Sequence, residues 1–400
     1  MKSEARLPFY LTMQYLRRGR KWTLFLTLLM LTIAFINLIF VPALFNGIVE
    51  GTNNQIINSM TGNIFITPKE GSEYINQKKE TIASLKKIQG VVGTSAQTNI
   101  QGQLKYNKIS GTWQVLAINP EEEATVTNIS QKMFAGKYLD KNDTNQIIIG
   151  KQIAGGEDVD ENAFSFKNAQ IGDKVILNGN GINKEFIIKG IFQTKFISSD
   201  ERAFITEKAF NDFFPSLENK TNTIILKTNN NVSEDEIISK IEKEKINVQS
   251  YSWKEVAGTM KSVSESFTSI NIIMGFTAIL IAAVTVFIVI YVDIVNKRKQ
   301  IGILRAIGIK TYIIIFSYVI LAAVYSVIGV LLGSLIFQFI LVPYFQAYPF
   351  VLPICDATLI LKWTDFIARA EAMMWVSVFS GLIPSIVVTK ANMLDEILGR

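Results

Sequence analysis

The sequence contains no histidine and a single cysteine, Cys355, among its 400 residues. One cysteine cannot close an intrachain disulfide or build a cysteine-based zinc cluster. Without histidine the chain also lacks the commonest metal ligand and the usual general base at neutral pH. We therefore expect no catalytic, cofactor-binding or metal-binding residues. An enzyme could still work with carboxylates or lysines.

Charged residues are absent from four long apolar runs, which predict transmembrane helices at residues 22–45, 270–292, 311–341 and 372–389. As a helix, the first run spans roughly 36 Å, and a bilayer's hydrocarbon core is about 30 Å thick. Its alternative, a cleaved signal peptide, would have an apolar region of only about 7–15 residues. The third run stays uncharged beyond residue 341, but the prolines that follow favour a helix end there. The net charge of +6 is therefore assigned to membrane contact and not to nucleic acid.

The positions of lysine and arginine predict the topology, since basic residues flanking a span stay in the cytoplasm. Four basic residues lie just before the first run, whereas the short loop at 342–371 has only Lys362 and Arg369. We expect both termini in the cytoplasm. The segments are then a cytoplasmic amphipathic segment at 1–21, an extracytoplasmic domain at 46–269, a cytoplasmic coupling loop at 293–310, an extracytoplasmic loop at 342–371 and a cytoplasmic tail at 390–400.

Residues 46–269 alternate strand and helix signals, which predicts a large α+β extracytoplasmic domain. "GDKVIL" and "KEFIIKGIF", separated by a glycine-rich turn, predict a hairpin. Ser233 with Glu236, and Ser252 with Glu255, match helix capping boxes. Helical sequence on both sides of the domain predicts either a two-helix stalk or two interfacial helices. The acidic run at 121–123 is expected to be a solvated helix start.

No nucleotide-binding motif is visible in the sequence. "GILRAIGIKT" has a superficial likeness to a P-loop, but Ile309 separates Gly308 from Lys310 and no strand precedes the glycines. A P-loop requires G-x-x-x-x-G-K-[ST] so that backbone amides and the lysine surround phosphates. The chain is therefore not expected to hydrolyse ATP.

Small residues recur inside the predicted spans. Gly329 and Gly333 form G-x-x-x-G in the third span, and Ser377 and Gly381 have the same spacing in the fourth, which also contains Pro384. Such pairs let helices approach closely. A moving or dimerising interface and simple packing within the bundle are both consistent with the pattern.

The stretch "KRKQIGILRAIGIK", residues 297–310, is apolar in the middle and basic at both ends. As a short helix it would place Ile303, Leu304, Ala306 and Ile307 on one side. This face is either a docking surface for a soluble partner or merely the first turns of the third span.

The same stretch resembles the cytoplasmic coupling segment of ABC transporter permeases of the MacB/FtsX/LolC-type superfamily. "MQYLRRGRKWTLFLTLLMLTIAF" and "GLIPSIVVTKANMLDEIL" are similar to the first and last spans of that family. "AINPEEEATVTNISQKMFAGKYL", "IIIGKQIA" and "GIFQTKFISSDERAFI" resemble the outside domain of the lipoprotein-releasing LolC/LolE branch. Two positions depart from the pattern: Gln300 stands where the family usually has Glu, and Lys195 where the LolC branch often has Gly.

The resemblance implies a permease subunit whose ATP and Mg are bound by a separate cytoplasmic ATPase. It assigns ATPase docking to Gln300, Ile301, Gly302, Ile303, Leu304, Arg305, Ala306, Ile307 and Gly308. It also implies a permease dimer, with a second copy or a paralogue, and contact with lipid of the inner (cytoplasmic) membrane of a prokaryote. The expected function is export or extraction of a lipophilic or protein cargo such as lipoproteins. The alternative is an FtsX-like subunit that signals to an extracytoplasmic partner such as a cell-wall hydrolase.

Overall fold

The computed structural model describes residues 6–18, 21–100, 102–157, 159, 163–179, 181–229, 232–244, 246–256, 259–352 and 355–389. The predicted cytoplasmic tail at 390–400 lies outside these residues. The chain divides into two compact units. The helical unit comprises Met1–Val49, Ser264–Phe350 and Asp356–Arg400, and the α/β domain comprises Glu50–Val263 with Val351–Cys355.

The α-helices are, in chain order, α1 (Arg6–Arg18), α2 (Lys21–Ile56), α3 (Lys78–Lys86), α4 (Pro120–Val126), α5 (Lys151–Ala154), α6 (Ile197–Asp200), α7 (Glu207–Phe213), α8 (Glu234–Lys243), α9 (Trp253–Val256), α10 (Thr259–Ala306), α11 (Thr311–Ile336), α12 (Val342–Ala347) and α13 (Trp363–Thr389). Wider π-helical turns at Ile57–Thr61 and Phe337–Leu341 continue α2 and α11.

The strands are β1 (Ile64–Pro68), β2 (Ile75–Asn76), β3 (Val91–Ile100), β4 (Gly102–Tyr106), β5 (Ile109–Thr112), β6 (Gln114–Ile118), β7 (Met133–Gly136), β8 (Gln146–Gly150), β9 (Lys174–Gly179), β10 (Ile182–Phe192), β11 (Arg202–Thr206), β12 (Lys220–Thr221), β13 (Thr223–Thr228), β14 (Val248–Ser252), β15 (Phe350–Val351) and β16 (Asp356–Ala357).

Among the described residues, four helical stretches are long and apolar enough to cross a membrane: Leu24–Thr61, Ile272–Ala306, Thr311–Ala347 and Trp363–Ile386. The helices that carry them are longer than the uncharged runs. Helix α2 has 36 residues, or about 54 Å at the rise of an α-helix, whereas a hydrocarbon core needs only about 30 Å. The fold class is thus a four-span helical membrane protein with a large α/β domain.

The helical unit has one apolar core, to which α1, α2, α10, α11 and α13 contribute. Phe35 of α2 and Tyr318 of α11 are among its fully buried side chains. The short helix α1 packs on α11, where the Thr12 hydroxyl donates a hydrogen bond of 2.9 Å to the Ser317 carbonyl. Helix α1 is therefore an integral part of the bundle.

The α/β domain is built on a mixed sheet of twelve described strands in the order β14-β1-β13-β3-β6-β11-β8-β10-β9-β4-β5, with β7 beside β10. Helices α3 and α8 cover one end of the sheet through Leu85 and Ile237. A larger core lies at the other end, where α5 and α7 pack on the sheet.

Several local predictions for this domain are confirmed. Strands β9 and β10 form the predicted antiparallel hairpin. The Ser233 hydroxyl accepts a 3.3 Å hydrogen bond from the Glu236 amide, and the Glu255 carboxylate accepts one of 3.1 Å from the Ser252 amide. Sequence after the first span is helical as far as Ile56.

Candidate functional site

The predicted coupling segment does not form a helix of its own. Residues up to Ala306 are the last turns of α10, and α11 begins only at Thr311. Gly308 ends the helix because its φ of 98° is left-handed, a region that glycine enters without steric cost. The Ile309 amide donates to the Leu304 carbonyl at 3.1 Å and the Gly308 amide to the Arg305 carbonyl at 3.0 Å. This pair of bonds is a Schellman motif, so the segment is the end of the second span and not the start of the third.

One face of this helix end is buried and the other is exposed. Ile301 is fully buried and Gly302 is buried, whereas Ile303 is 46% exposed and Ile307 is 75% exposed. Gln300 and Ala306 are also exposed. We call the surface formed by Gln300, Ile303, Ala306 and Ile307 the coupling ridge.

The expectation that Leu304 shares this exposed face is wrong. Leu304 is half-buried and packs, together with Ile309, against the apolar core of the helical unit. The reason is helical phase: Ile294 and Ile301, seven residues apart, are both fully buried, and Leu304 lies one turn beyond Ile301 on nearly the same side. Arg305 is half-buried as well.

The small residues of the third span pack within the bundle. A Cβ added at Gly329 would lie 2.9 Å from the Leu31 Cβ, and one added at Gly333 would lie 2.9 Å from Phe35 Cδ1. Both contacts are with α2 of the same chain. The sequence left open a moving or dimerising interface and packing within the bundle. In the structure these two glycines pack within the bundle.

The fourth span also has a small residue at a close contact between helices of the same chain. A Cβ at Gly381 would lie 2.8 Å from the Ala322 Cβ of α11. Ser377 is buried, and its hydroxyl donates 2.7 Å to the Met373 carbonyl one turn earlier. Pro384 lies inside α13 and is buried. Gly381 therefore lets α13 approach α11 closely.

Sequence reasoning missed a junction at the end of α2 in the α/β domain. The Gln55 side-chain amide donates 2.9 Å to the Thr194 carbonyl, and Ile56 packs with Phe196 and Trp253. Residues 194–200 connect β10 to β11, so the helix that carries the first span ends against a loop of the main sheet. We call this contact the helix–sheet junction.

Asp200 holds the loop of the helix–sheet junction in shape. Its carboxylate accepts hydrogen bonds from the Thr194 amide and hydroxyl, both 2.8 Å, and from the Lys195 amide at 3.2 Å. Burial raises the pKa of Asp200 from 3.8 to about 6, against the opposing effect of these hydrogen bonds. The short polar run "SSDE" at residues 198–201 is consistent with a loop. Nothing in that run indicates that the aspartate is buried.

The acidic run at 121–123 was predicted to be solvated throughout, which is wrong for Glu123. This side chain is fully buried and accepts hydrogen bonds from Ser95 at 2.6 Å, Gln97 at 2.9 Å and Thr127 at 3.1 Å. Burial raises the pKa of Glu123. Glu123, the third residue of the acidic run, therefore faces β3, whereas Glu121 is exposed and Glu122 is half-buried.

These features define a multi-pass helical membrane protein whose spans are split around a large α/β domain. Residues 24–244 match the MacB-like periplasmic core domain, and residues 272–393 match the FtsX-like permease C-terminal domain. The first match alone covers more than half of the chain. The chain therefore belongs to the family of ABC transporter permeases that combine these two domains.

Individual relatives are distant but extend along most of the chain. A protein named as the hemin transport system permease HrtB, from Staphylococcus haemolyticus, is 23% identical over 386 residues, covering 93% of this chain and 95% of that protein. The lipoprotein-releasing system transmembrane protein LolC of Buchnera aphidicola is 22% identical over 334 residues, covering 82% of this chain and 80% of LolC. The domain matches establish the permease family. The identities to HrtB and LolC are nearly equal, so they do not place the chain in the LolC branch.

Among solved structures, the periplasmic region of MacB from Actinobacillus actinomycetemcomitans aligns with 51% of this chain and 95% of its own length. Its sequence identity is 13% and its TM-score is 0.37.

Proposed function

We propose that this chain is the membrane-spanning subunit of an ABC transporter and that a separate cytoplasmic ATPase docks on the coupling ridge. The observation that carries the proposal is the exposure of Ile303 and Ile307 at the end of a long membrane helix. Covering such a side chain is worth roughly 1.5–3 kcal/mol, less the cost of association. Gln300 supplies an uncharged amide on the ridge where the family usually has a carboxylate.

The ATP chemistry belongs to the partner in this proposal. The chain has no P-loop, so the ATPase would bind ATP and Mg, and the permease would convert the partner's motion into work. A second permease copy or a paralogue would complete the assembly in the inner membrane, with both termini in the cytoplasm.

Motion would reach the α/β domain through the first membrane helix. Helix α2 is continuous from Lys21 to Ile56, and its last turn makes the helix–sheet junction described above. A displacement along α2 would therefore act on residues 194–200, and through them on β10 and β11. This route needs no channel through the spans.

The names of the relatives support an amphiphilic cargo. HrtB is named for hemin transport and LolC for lipoprotein release. Hemin and lipoproteins are both amphiphilic, because each combines an apolar part with a charged or polar part. We accordingly assign this chain the export or extraction of a lipophilic or protein cargo, with lipoproteins as one example.

Affinity purification of the tagged chain from membranes of its own host tests the proposal. A P-loop ATPase should co-purify with the wild-type chain and be lost from the Ile303→Asp/Ile307→Asp variant, because a buried unpaired carboxylate is costly. Leu304→Asp is less informative, because Leu304 is half-buried against the apolar core of the helical unit and its loss would also disturb the fold. Ile182→Asp is the matched control, since Ile182 is 49% exposed on β10 in the α/β domain.

Membrane levels of each variant are measured alongside, so that loss of the ATPase is separated from loss of insertion. Retention of the ATPase by a stably inserted Ile303→Asp/Ile307→Asp permease would remove the docking role. ATP hydrolysis by the purified chain alone would contradict the assignment of the ATPase activity to a separate partner.

A further inference from the structure

Lys297 begins the basic stretch that precedes the coupling ridge, yet its side chain is only 16% exposed. Its ammonium group lies 2.8 Å from the Asp293 carboxylate, one turn earlier on α10. The same ammonium lies 4.6 Å from the centre of the Tyr15 ring of α1. Lys297 thus links its own helix, α10, to α1, whereas Lys299 and Gln300 after it are exposed.

Tyr15 in turn contacts a third helix. Its ring stacks on Tyr318 of α11, with centroids 5.4 Å apart and planes inclined by 22°. Tyr318 is fully buried. One turn before Tyr15, Thr12 donates its hydrogen bond to the Ser317 carbonyl of α11. A continuous set of contacts therefore runs from α10 through α1 to α11.

The chemistry of these contacts makes the charge of Lys297 important. Asp293 is only 14% exposed, so its carboxylate depends on Lys297 for compensation. A cation over an aromatic face is attracted by the ring quadrupole, and more strongly where water is excluded. A single ammonium group therefore satisfies the carboxylate and holds the Tyr15 ring against α10.

We propose that Lys297 is a positioning residue that transmits docking at the coupling ridge to helices α1 and α11. We call Asp293, Lys297, Tyr15 and Tyr318 the cytoplasmic clamp. The proposal rests on the proposed function, because the ATPase supplies the displacement. Lys297 lies one turn before Gln300 on the same helix, so a shift of the ridge moves the ammonium group and, with it, Tyr15.

A nitroxide label on α1 tests the clamp without any ATPase. Met13 is 49% exposed and lies two residues before Tyr15, so Met13→Cys in a Cys355→Ser background places a label on the outer side of α1. Lys297→Met should loosen α1 and shorten the label's rotational correlation time by about twofold or more, because the cation–π contact is lost. Lys297→Arg should restore the wild-type spectrum, since arginine also pairs with carboxylates and stacks on aromatic rings.

Two further variants separate positioning from general stability. Lys299→Met removes the same charge from an exposed position of α10 and should leave the spectrum unchanged. Asp293→Asn/Lys297→Met removes both charges, so no buried carboxylate is left unpaired, and it should still show a mobile α1. If the double variant is as immobile as wild type, or if Lys297→Met itself changes nothing, the clamp is wrong.

The transmitting role is measured on the assembled complex. Adding the co-purified ATPase with a non-hydrolysable ATP analogue should change the spectrum of the Met13 label in the wild-type permease. It should not do so in the Lys297→Met permease, although the ATPase still binds. An equal change in both overturns the inference alone, whereas failure of the ATPase to bind wild type overturns the proposed function.

Discussion

Lys195 has a left-handed backbone, with φ of 65°, in the loop of the helix–sheet junction. For a residue with a Cβ this conformation costs roughly 1–2 kcal/mol, and glycine avoids the cost. The frequent glycine of the LolC branch at this position thus has a backbone explanation.

Lys195→Gly is therefore expected to be more stable than Lys195→Ala. Both variants lose the lysine side chain, so their difference isolates the backbone strain, and we expect about 1 kcal/mol in favour of glycine. Thermal unfolding of the full chain in detergent measures it. An alanine variant at least as stable as the glycine variant would show that the loop relaxes out of the left-handed conformation.

Asp200 makes the stability of the α/β domain depend on pH. Its pKa is about 6 in the folded chain and 3.8 ordinarily, so between these values the folded state binds more protons than the unfolded state. Stability from this group is thus greatest below pH 3.8 and is lost as the pH rises through about 6.

Asp200→Asn should remove that component. The difference in unfolding midpoint between wild type and Asp200→Asn is expected to change from pH 3.8 to about 6 and to stay constant above that window. The unfolding midpoint of wild type should fall relative to that of the variant as the pH rises. A difference that is constant over the whole window, or that changes in the opposite sense, would contradict the raised pKa.

The environment of single side chains was the least predictable feature. Glu121, Glu122 and Glu123 are the same residue type in consecutive positions, and only the phase of the short helix α4 decides which of them is buried. Leu304 was misplaced for the same reason. The contact between Lys297 and Tyr15 was not predictable either, because the two residues lie far apart in the chain.

At the scale of elements, the membrane helices were predictable because an uncharged run long enough to span a bilayer is a strong signal. Their ends were not. Helix α10 continues past its apolar run to Ala306, since polar residues such as Lys297 and Gln300 extend a helix as readily as apolar ones. The predicted loop at 293–310 is consequently mostly helix, closed by the turn at Gly308.

The close approach of α11 to α2 gives a prediction about glycine. Gly329→Ala would place a methyl group 2.9 Å from the Leu31 Cβ, so the helices must separate. We expect a loss of about 1–3 kcal/mol, as for overpacked cores. Val327→Leu is the control, because it adds one carbon to the same helix at a position that is 42% exposed.

Thermal unfolding of both purified variants checks this expectation. The control should match wild type. Equal stability of Gly329→Ala and wild type would mean that α2 and α11 are less closely packed than the structure has them.

At the scale of the whole molecule, the sequence predicted the class of fold from two independent features, the apolar runs and the strand–helix alternation between them. Strand order within the sheet was beyond reach, because pairings such as β3 with β13 join residues far apart in the chain. The coupling ridge was predicted in position but not in composition, since its exposed face depends on the register of α10 against the bundle.

The predicted topology is testable with single cysteines in a Cys355→Ser background. Ile182→Cys on the α/β domain should react with an impermeant thiol reagent in intact cells, because the side chain is 49% exposed. Lys299→Cys on the exposed end of α10 should react only after lysis. Thr228, by contrast, is only 4% exposed and would stay unlabelled in either topology. The reverse pattern of labelling would invert the assignment of sides.

A separate ATPase is proposed to contact the end of α10. A photoreactive amino acid placed there detects that contact without relying on purification. Replacing Ile307, which is 75% exposed, with a benzoylphenylalanine probe should yield a covalent adduct with the ATPase on irradiation of cells that make both proteins. The same probe at Val284, which is 53% exposed within the apolar run of the same helix, should capture no ATPase. Two results would contradict docking of the ATPase on the coupling ridge. One is that the Ile307 probe gives no ATPase adduct in cells where both proteins are present, and the other is that the Val284 probe gives an equal yield of adduct.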